Sequence, residues 1–180
     1  MSVHPLELSG AYEIQLFRHS DERGTFFKPF QENVLKEAGL FFEVKESILS
    51  ISAKNVIRGM HFQSEPNAQC KLVYCPQGAI LDVILDIRPS SNSFGKFLAV
   101  ELSAANGKSL YIPEGFAHGF MALEDNSITS YLMNKSYFPE SDKGILWNSF
   151  GFEWPSEPSM MSPRDQSFPT LADALASGIL

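Results

Sequence analysis

Positive charge is in short supply along this chain and nowhere gathered. Its 14 lysines and arginines are scattered among 21 acidic residues, for a formal net charge of -7. Without a basic stripe a phosphate backbone has nothing to follow, so nucleic acid is excluded as a partner, whereas a small anion stays possible if a few cations converge in one pocket. Cysteine is scarce as well. Cys70 and Cys75 stand in what reads as one extended strand, where a bridge would need a sharp bend, and no secretory signal precedes them. Two free thiols in a reducing cytoplasm are expected. No apolar run approaches the roughly 18 residues of a membrane helix, so no membrane partner is expected. Repeats, linkers and low-complexity segments are lacking too, and 180 residues with 44% hydrophobic and 19% charged side chains suit one globular domain spanning 1–180.

Helical periodicity is the next scarcity. Gln31 to Ala38, closed by Gly39, reads as a helix, and Leu171 to Ile179 as a second. Elsewhere the pattern is short strands between turns. Tyr12 to Phe17, Thr25 to Phe30, Val44 to Ile51, Asn55 to Phe62, Lys71 to Tyr74, Phe97 to Leu102, Ser109 to Ile112, Phe116 to Leu123 and Ile128 to Met133 all fit, with Ser20 to Gly24 as a turn. Ala79 to Ile87 is the strongest, with Leu81, Val83, Leu85 and Ile87 on one face and Asp82, Ile84 and Asp86 on the other. Many short strands at near-regular spacing predict an all-β fold, an antiparallel sandwich or jelly roll with a few short helices.

The chemistry concentrates in Arg58-Gly59-Met60-His61-Phe62-Gln63, followed by Lys71. In one pocket His61 would take a proton near neutral pH, Arg58 would hold a phosphate and Lys71 would face an oxyanion. These are the parts for removing a proton next to a carbonyl. The competing reading is a core histidine flanked by two surface cations. His118 sits between Gly115 and Gly119 among apolar neighbours, so it should be buried and hydrogen-bonded, with Asp82 or Asp86 as partner. Tyr131, on a strand, could return a proton to the face opposite a base, or simply pack; Tyr137 follows it closely. Asp165, after Arg164 in a loop, could orient His61 or be a turn aspartate. A metal-binding His-x-His pair is missing, since Gly59 and Gln63 flank His61 at that spacing, and no metal is expected.

Taken in order, Asp21 to Gly24, Asn55 to Gln63, Gln69 to Val73, Asp82 to Arg88, Ser93 to Gly95, Tyr111 to Phe120, Tyr131, Gly144 to Asn148, Trp154-Pro155 and the Asp165 loop resemble the dTDP-4-dehydrorhamnose 3,5-epimerase family of nucleotide-sugar epimerases. The resemblance implies a cupin-type jelly roll free of metal and cofactor, acting on a nucleotide-diphosphate sugar and usually a homodimer whose N-terminal strands reach the neighbour's site. By that resemblance His61 matches the base, Asp165 its carboxylate partner, Lys71 the group facing the enolate oxygen and Tyr131 the acid on the opposite face. Arg58 and His118, with Tyr137 and Arg164, match pocket residues around the sugar and diphosphate, and Arg23 with Phe26 and Phe27 the nucleotide side.

Three positions depart from the family pattern. Lys28 stands where a carboxylate is common, and Glu46 and Ile48 replace a Gln-x-Asn pair near the nucleotide. Cytosine and thymine differ at N3 as acceptor and donor, so a lysine in place of an acceptor opens CDP as an alternative to dTDP. Competing readings are an epimerase of a single centre, a non-catalytic sugar-binding cupin and a metal-dependent cupin oxygenase.

Overall fold

The computed structural model describes residues 1–180. A strand with apolar residues on both faces needs cover on both, and Ala79–Asp86 (β8) is buried almost throughout. It belongs to a five-stranded antiparallel sheet in the order β13 (Asp142–Gly144), β6 (Ile57–Gln63), β11 (Phe116–Ala122), β8 and β9 (Phe97–Ser103). The facing sheet has six strands: β1 (Ser2–Pro5), β2 (Tyr12–Gln15), β10 (Lys108–Ile112), β7 (Lys71–Gln77), β12 (Ser127–Met133) and β5 (Glu46–Ser52). Ile80 and Ile84 of β8 meet Val73, Leu110 and Phe120 between the sheets, which closes a jelly-roll sandwich. Val83, Leu85 and Ile87 point the other way, under a C-terminal segment carrying Ile145, Phe150 and Ala174. No helix is long and apolar enough to cross a membrane.

A hairpin of β3 (Phe17–Asp21) and β4 (Gly24–Lys28) stands apart as its own two-stranded sheet, and three short helices complete the chain: α1 (Glu32–Glu37), α2 (Pro163–Gln166) and α3 (Leu171–Ala176). The expected strand from Tyr12 to Phe17 breaks in two. Leu16 turns into the core and its N–H bonds the Gly107 carbonyl at 2.9 Å, so the chain leaves the sheet there and Phe17 starts the exposed hairpin. The expected turn from Ser20 to Gly24 narrows to Glu22 and Arg23, because the hairpin ladder runs to Asp21 opposite Gly24. The second helix stops at Ala176, with Gly178 in the left-handed region beyond it. β1, β13 and α2 were not anticipated. β13 has only the polar triplet Asp-Lys-Gly and exists through its pairing with β6.

Candidate active site

Strict alternation on β6 would place Arg58 and His61 on opposite faces. The structure places both at one pocket, because the ladder slips: His118 of β11 pairs with His61 and Phe120 with Arg58. Two residues, Gly59 and Met60, therefore oppose the single Gly119, a β-bulge that reverses the phase of the strand. Ile57 and Met60 both pack outward, in separate clusters, while Arg58 and His61 both face inward. Glycine is required here: a Cβ on Gly59 would overlap the Cα of Gly119.

The bulge also supplies a donor. Asp165 on α2 accepts from the Gly59 N–H at 3.2 Å through Oδ2, and its Oδ1 lies 2.9 Å from His61 Nε2. Burial pushes the Asp165 carboxyl up, but the hydrogen bond and charge of His61 and the Gly59 amide outweigh it and hold the group below the usual carboxylate range. With Nε2–H directed to that carboxylate, Nδ1 is the ring nitrogen free to take a proton. The expected loop around Asp165 is a helical turn instead, since Pro163 stands at its first position and the Ser162 hydroxyl accepts from the Asp165 N–H at 3.0 Å. Phe168 meets the His61 ring edge-on at 5.7 Å, in space that a Cβ on Gly144 would fill.

Lys71 comes from the opposite sheet and is buried rather than a surface cation, its Nζ donating to the His61 carbonyl at 3.3 Å. Burial lowers its ammonium to about 8, against the opposing charges of Asp82 and Asp142. Tyr131 on β12 stands beside His118, ring centroids 5.8 Å apart, and desolvation followed by the Asp82 charge raises its hydroxyl, which keeps it a phenol. His118 Nε2 lies 2.8 Å from Asp82 Oδ2, so of the two carboxylates foreseen as its partner it takes Asp82. Asp86 belongs instead to Arg88, Ser91 and Ser93. Desolvation lowers the His118 ring despite that carboxylate, which leaves it neutral.

Arg58, His61, Lys71, His118 and Tyr131 line a cavity of about 290 Å³, with Glu46, Tyr137, Asp142 and Arg164 around its rim. The rim is tied together. Asp142 Oδ2 accepts from Tyr137 Oη at 3.0 Å and from Arg164 at 2.7 Å, and Glu46 accepts the Tyr137 N–H at 2.7 Å. Asp142 was not foreseen; its signal was its place in the polar triplet just ahead of the Gly144 to Asn148 motif. Arg23, Phe26 and Lys28 are not brought to this cavity. They sit on the β3–β4 hairpin, where Arg23 is 88% exposed and pairs with Asp21. Ile48, half exposed, joins the cavity wall. No set of three histidine, cysteine, aspartate or glutamate side chains gathers to hold a metal ion. The cavity can hold an anion against Arg58 and Arg164, remove a proton at His61 and supply one from Tyr131.

Residues 5–173 match the family model described as dTDP-4-dehydrorhamnose 3,5-epimerase. A protein of that name from Mycolicibacterium smegmatis is 40% identical over 182 aligned residues, covering 100% of this chain and 90% of its own. Among solved structures, NovW, a 4-keto-6-deoxy sugar epimerase from Streptomyces spheroides, superposes with a TM-score of 0.96 at 33% identity, covering 100% of this chain and 92% of that one. ChmJ from Streptomyces bikiniensis, a 3'-monoepimerase solved with dTDP-quinovose, gives 0.93 at 31% identity, with 98% and 91% covered. The Legionella pneumophila enzyme solved with dTDP-4-keto-L-rhamnose gives 0.90 at 33%, with 95% and 93% covered.

Proposed function

The chain belongs to the dTDP-4-dehydrorhamnose 3,5-epimerase family, a family of isomerases of deoxysugar biosynthesis, and from that premise we propose how its own residues epimerise a dTDP-linked 4-keto-6-deoxyhexose. The observation that carries the reading is that His61 and Tyr131 reach one cavity from opposite sheets, so a sugar between them has a base on one face and an acid on the other. His61 takes the proton from the carbon next to the ketone, and the C–H electron pair moves onto the ketone oxygen as an enolate. The Lys71 ammonium faces that oxygen, where a fixed charge in a desolvated site counts most. Tyr131 then delivers a proton to the other face of the carbanion, which inverts the centre with no net change in atoms or electrons. Asp165 orients His61 and stabilises the imidazolium that forms. Arg58 and Arg164 hold the diphosphate.

We further propose a single domain acting in the cytoplasm as a homodimer. Phe17 and Phe26 on the hairpin and Leu49 and Ile51 on edge strand β5 are large exposed apolar residues, and a second copy would cover them while bringing Arg23, Phe26 and Lys28 to its neighbour's cavity. Mixing Arg23→Ala with His61→Ala protein should then recover activity that neither has alone. Proton NMR in deuterium oxide with dTDP- and CDP-4-keto-6-deoxyglucose tests the chemistry: exchange at both C-3 and C-5 supports it, and no exchange with either sinks it. A second reading, inversion of one centre, is favoured by the likeness to the monoepimerase; exchange at one position alone would establish it.

A further inference from the structure

A hydroxyl shut away from water normally comes with a partner, because leaving it unpaired forfeits the hydrogen bonds that water would make. Along the inner face of β5 and β12 the rule is kept at one end. Ser52 accepts from Arg58 Nε at 3.1 Å, and the Ser127 hydroxyl opposite it donates to the Ala79 carbonyl at 2.9 Å. At the next inward pair the rule is broken. Ser50 and Thr129 stand directly opposite each other in the ladder, and neither Ser50 Oγ nor Thr129 Oγ1 has a hydrogen-bond partner. The following inward residue on β12 is Tyr131, which shares the cavity wall with Ser50 and is its diagonal neighbour across the two strands, within reach of an aromatic side chain.

We infer that Ser50 and Thr129 are positioning residues for the epimerisation, their idle hydroxyls turning to donate to the Tyr131 oxygen as its proton leaves for the carbanion. This deepens the proposed function and rests on the reading of Tyr131 as the acid. In that step the Tyr131 O–H bond breaks and a C–H bond forms, and the electron pair left on oxygen accepts from the two hydroxyls. Neither serine nor threonine gives up a proton. His61 and Tyr131 return to their starting states by exchange with water after the product leaves. Donors already in place for a charge that exists only during turnover need no reorganisation when it appears. The surroundings show why they are needed: desolvation and then the Asp82 charge oppose a phenolate here, while Ser50, Arg58 and Thr129 favour it.

Thr129→Val separates this role from a structural one, since it is nearly isosteric and removes only the hydroxyl. A hydroxyl without a partner does not hold the fold together, so the variant should unfold at or above the wild-type urea midpoint. With dTDP-4-keto-6-deoxyglucose in deuterium oxide, followed by proton NMR, inversion should slow about tenfold at unchanged KM. Exchange that returns deuterium to the original face through His61 should keep at least its wild-type rate. Ser50→Ala should slow inversion in the same way, and Thr129→Ser should restore it. A lower midpoint for Thr129→Val overturns the inference, as does inversion at the wild-type rate, an equal fall in inversion and same-face exchange, or a Thr129→Ser variant as slow as Thr129→Val. A wild type that exchanges nothing ends the epimerase reading and this inference together; exchange in the wild type with any of those variant outcomes ends the inference alone.

Discussion

The chain contains two histidine–aspartate pairs of nearly the same length, 2.9 Å for His61–Asp165 and 2.8 Å for His118–Asp82, and they live in different solvents. The His61 side chain is 32% exposed and that of His118 3%. The first pair joins a strand to a capped helical turn at the rim, so a substrate can reach the ring; the second joins neighbouring strands of one sheet with the core behind it. Hydrogen bonding to a carboxylate thus does not make a histidine a base. Access decides it, since a proton acceptor has to meet the atom that gives up the proton.

If that contrast is right, damage to the two pairs should be felt in different quantities. His61→Ala should slow proton exchange at the substrate about a thousandfold, measured by NMR in deuterium oxide, while unfolding at the wild-type urea midpoint. His118→Ala should be felt in the fold, losing about 3 kcal/mol in urea unfolding because it strands the Asp82 carboxylate; an unchanged midpoint would erase the distinction. Asp165→Asn should slow turnover about a hundredfold with the substrate still binding, as the ring loses its orienting acceptor. Asp86 sharpens the comparison from the satisfied side. Its carboxyl is held at about 2: burial raises it, and Arg88 and the two serines more than reverse that. A depressed carboxylate stabilises the fold fully above its unfolded value near 4 and loses that contribution as pH falls through about 2. Arg88→Met should therefore flatten acid unfolding in that window by about 2 kcal/mol. Smallest, Ser162→Ala should cost about 1 kcal/mol by uncapping α2, read as a lower urea midpoint.

Much of the architecture was legible because the strands obey a period of two and their turns carry glycine, proline and asparagine. β8 could be assigned face by face, which put Asp82 and Asp86 together on one face as candidate partners of His118; the choice of Asp82 came with the structure. Two kinds of feature escaped. β13 and α2 are held by tertiary partners, the Gln63 to His61 ladder and the Asp165 contacts, which local propensity does not express. The meeting of Arg58 with His61 escaped alternation altogether and was reached through residue chemistry and family resemblance. Lys71 reads identically on a surface or in a core, so its burial came only with the fold.

The slip at Gly59 and Met60 also has an arithmetic meaning. Strand position is a matter of parity, and one uncounted residue changes odd to even for everything upstream of it. Paired as an ordinary strand residue, Gly59 would leave the composition and every side chain unchanged, yet it would send Arg58 outward and Ile57 toward the cavity. In this chain the difference between an anion-holding wall and an apolar one is a single unit of count, carried by the residue with no side chain.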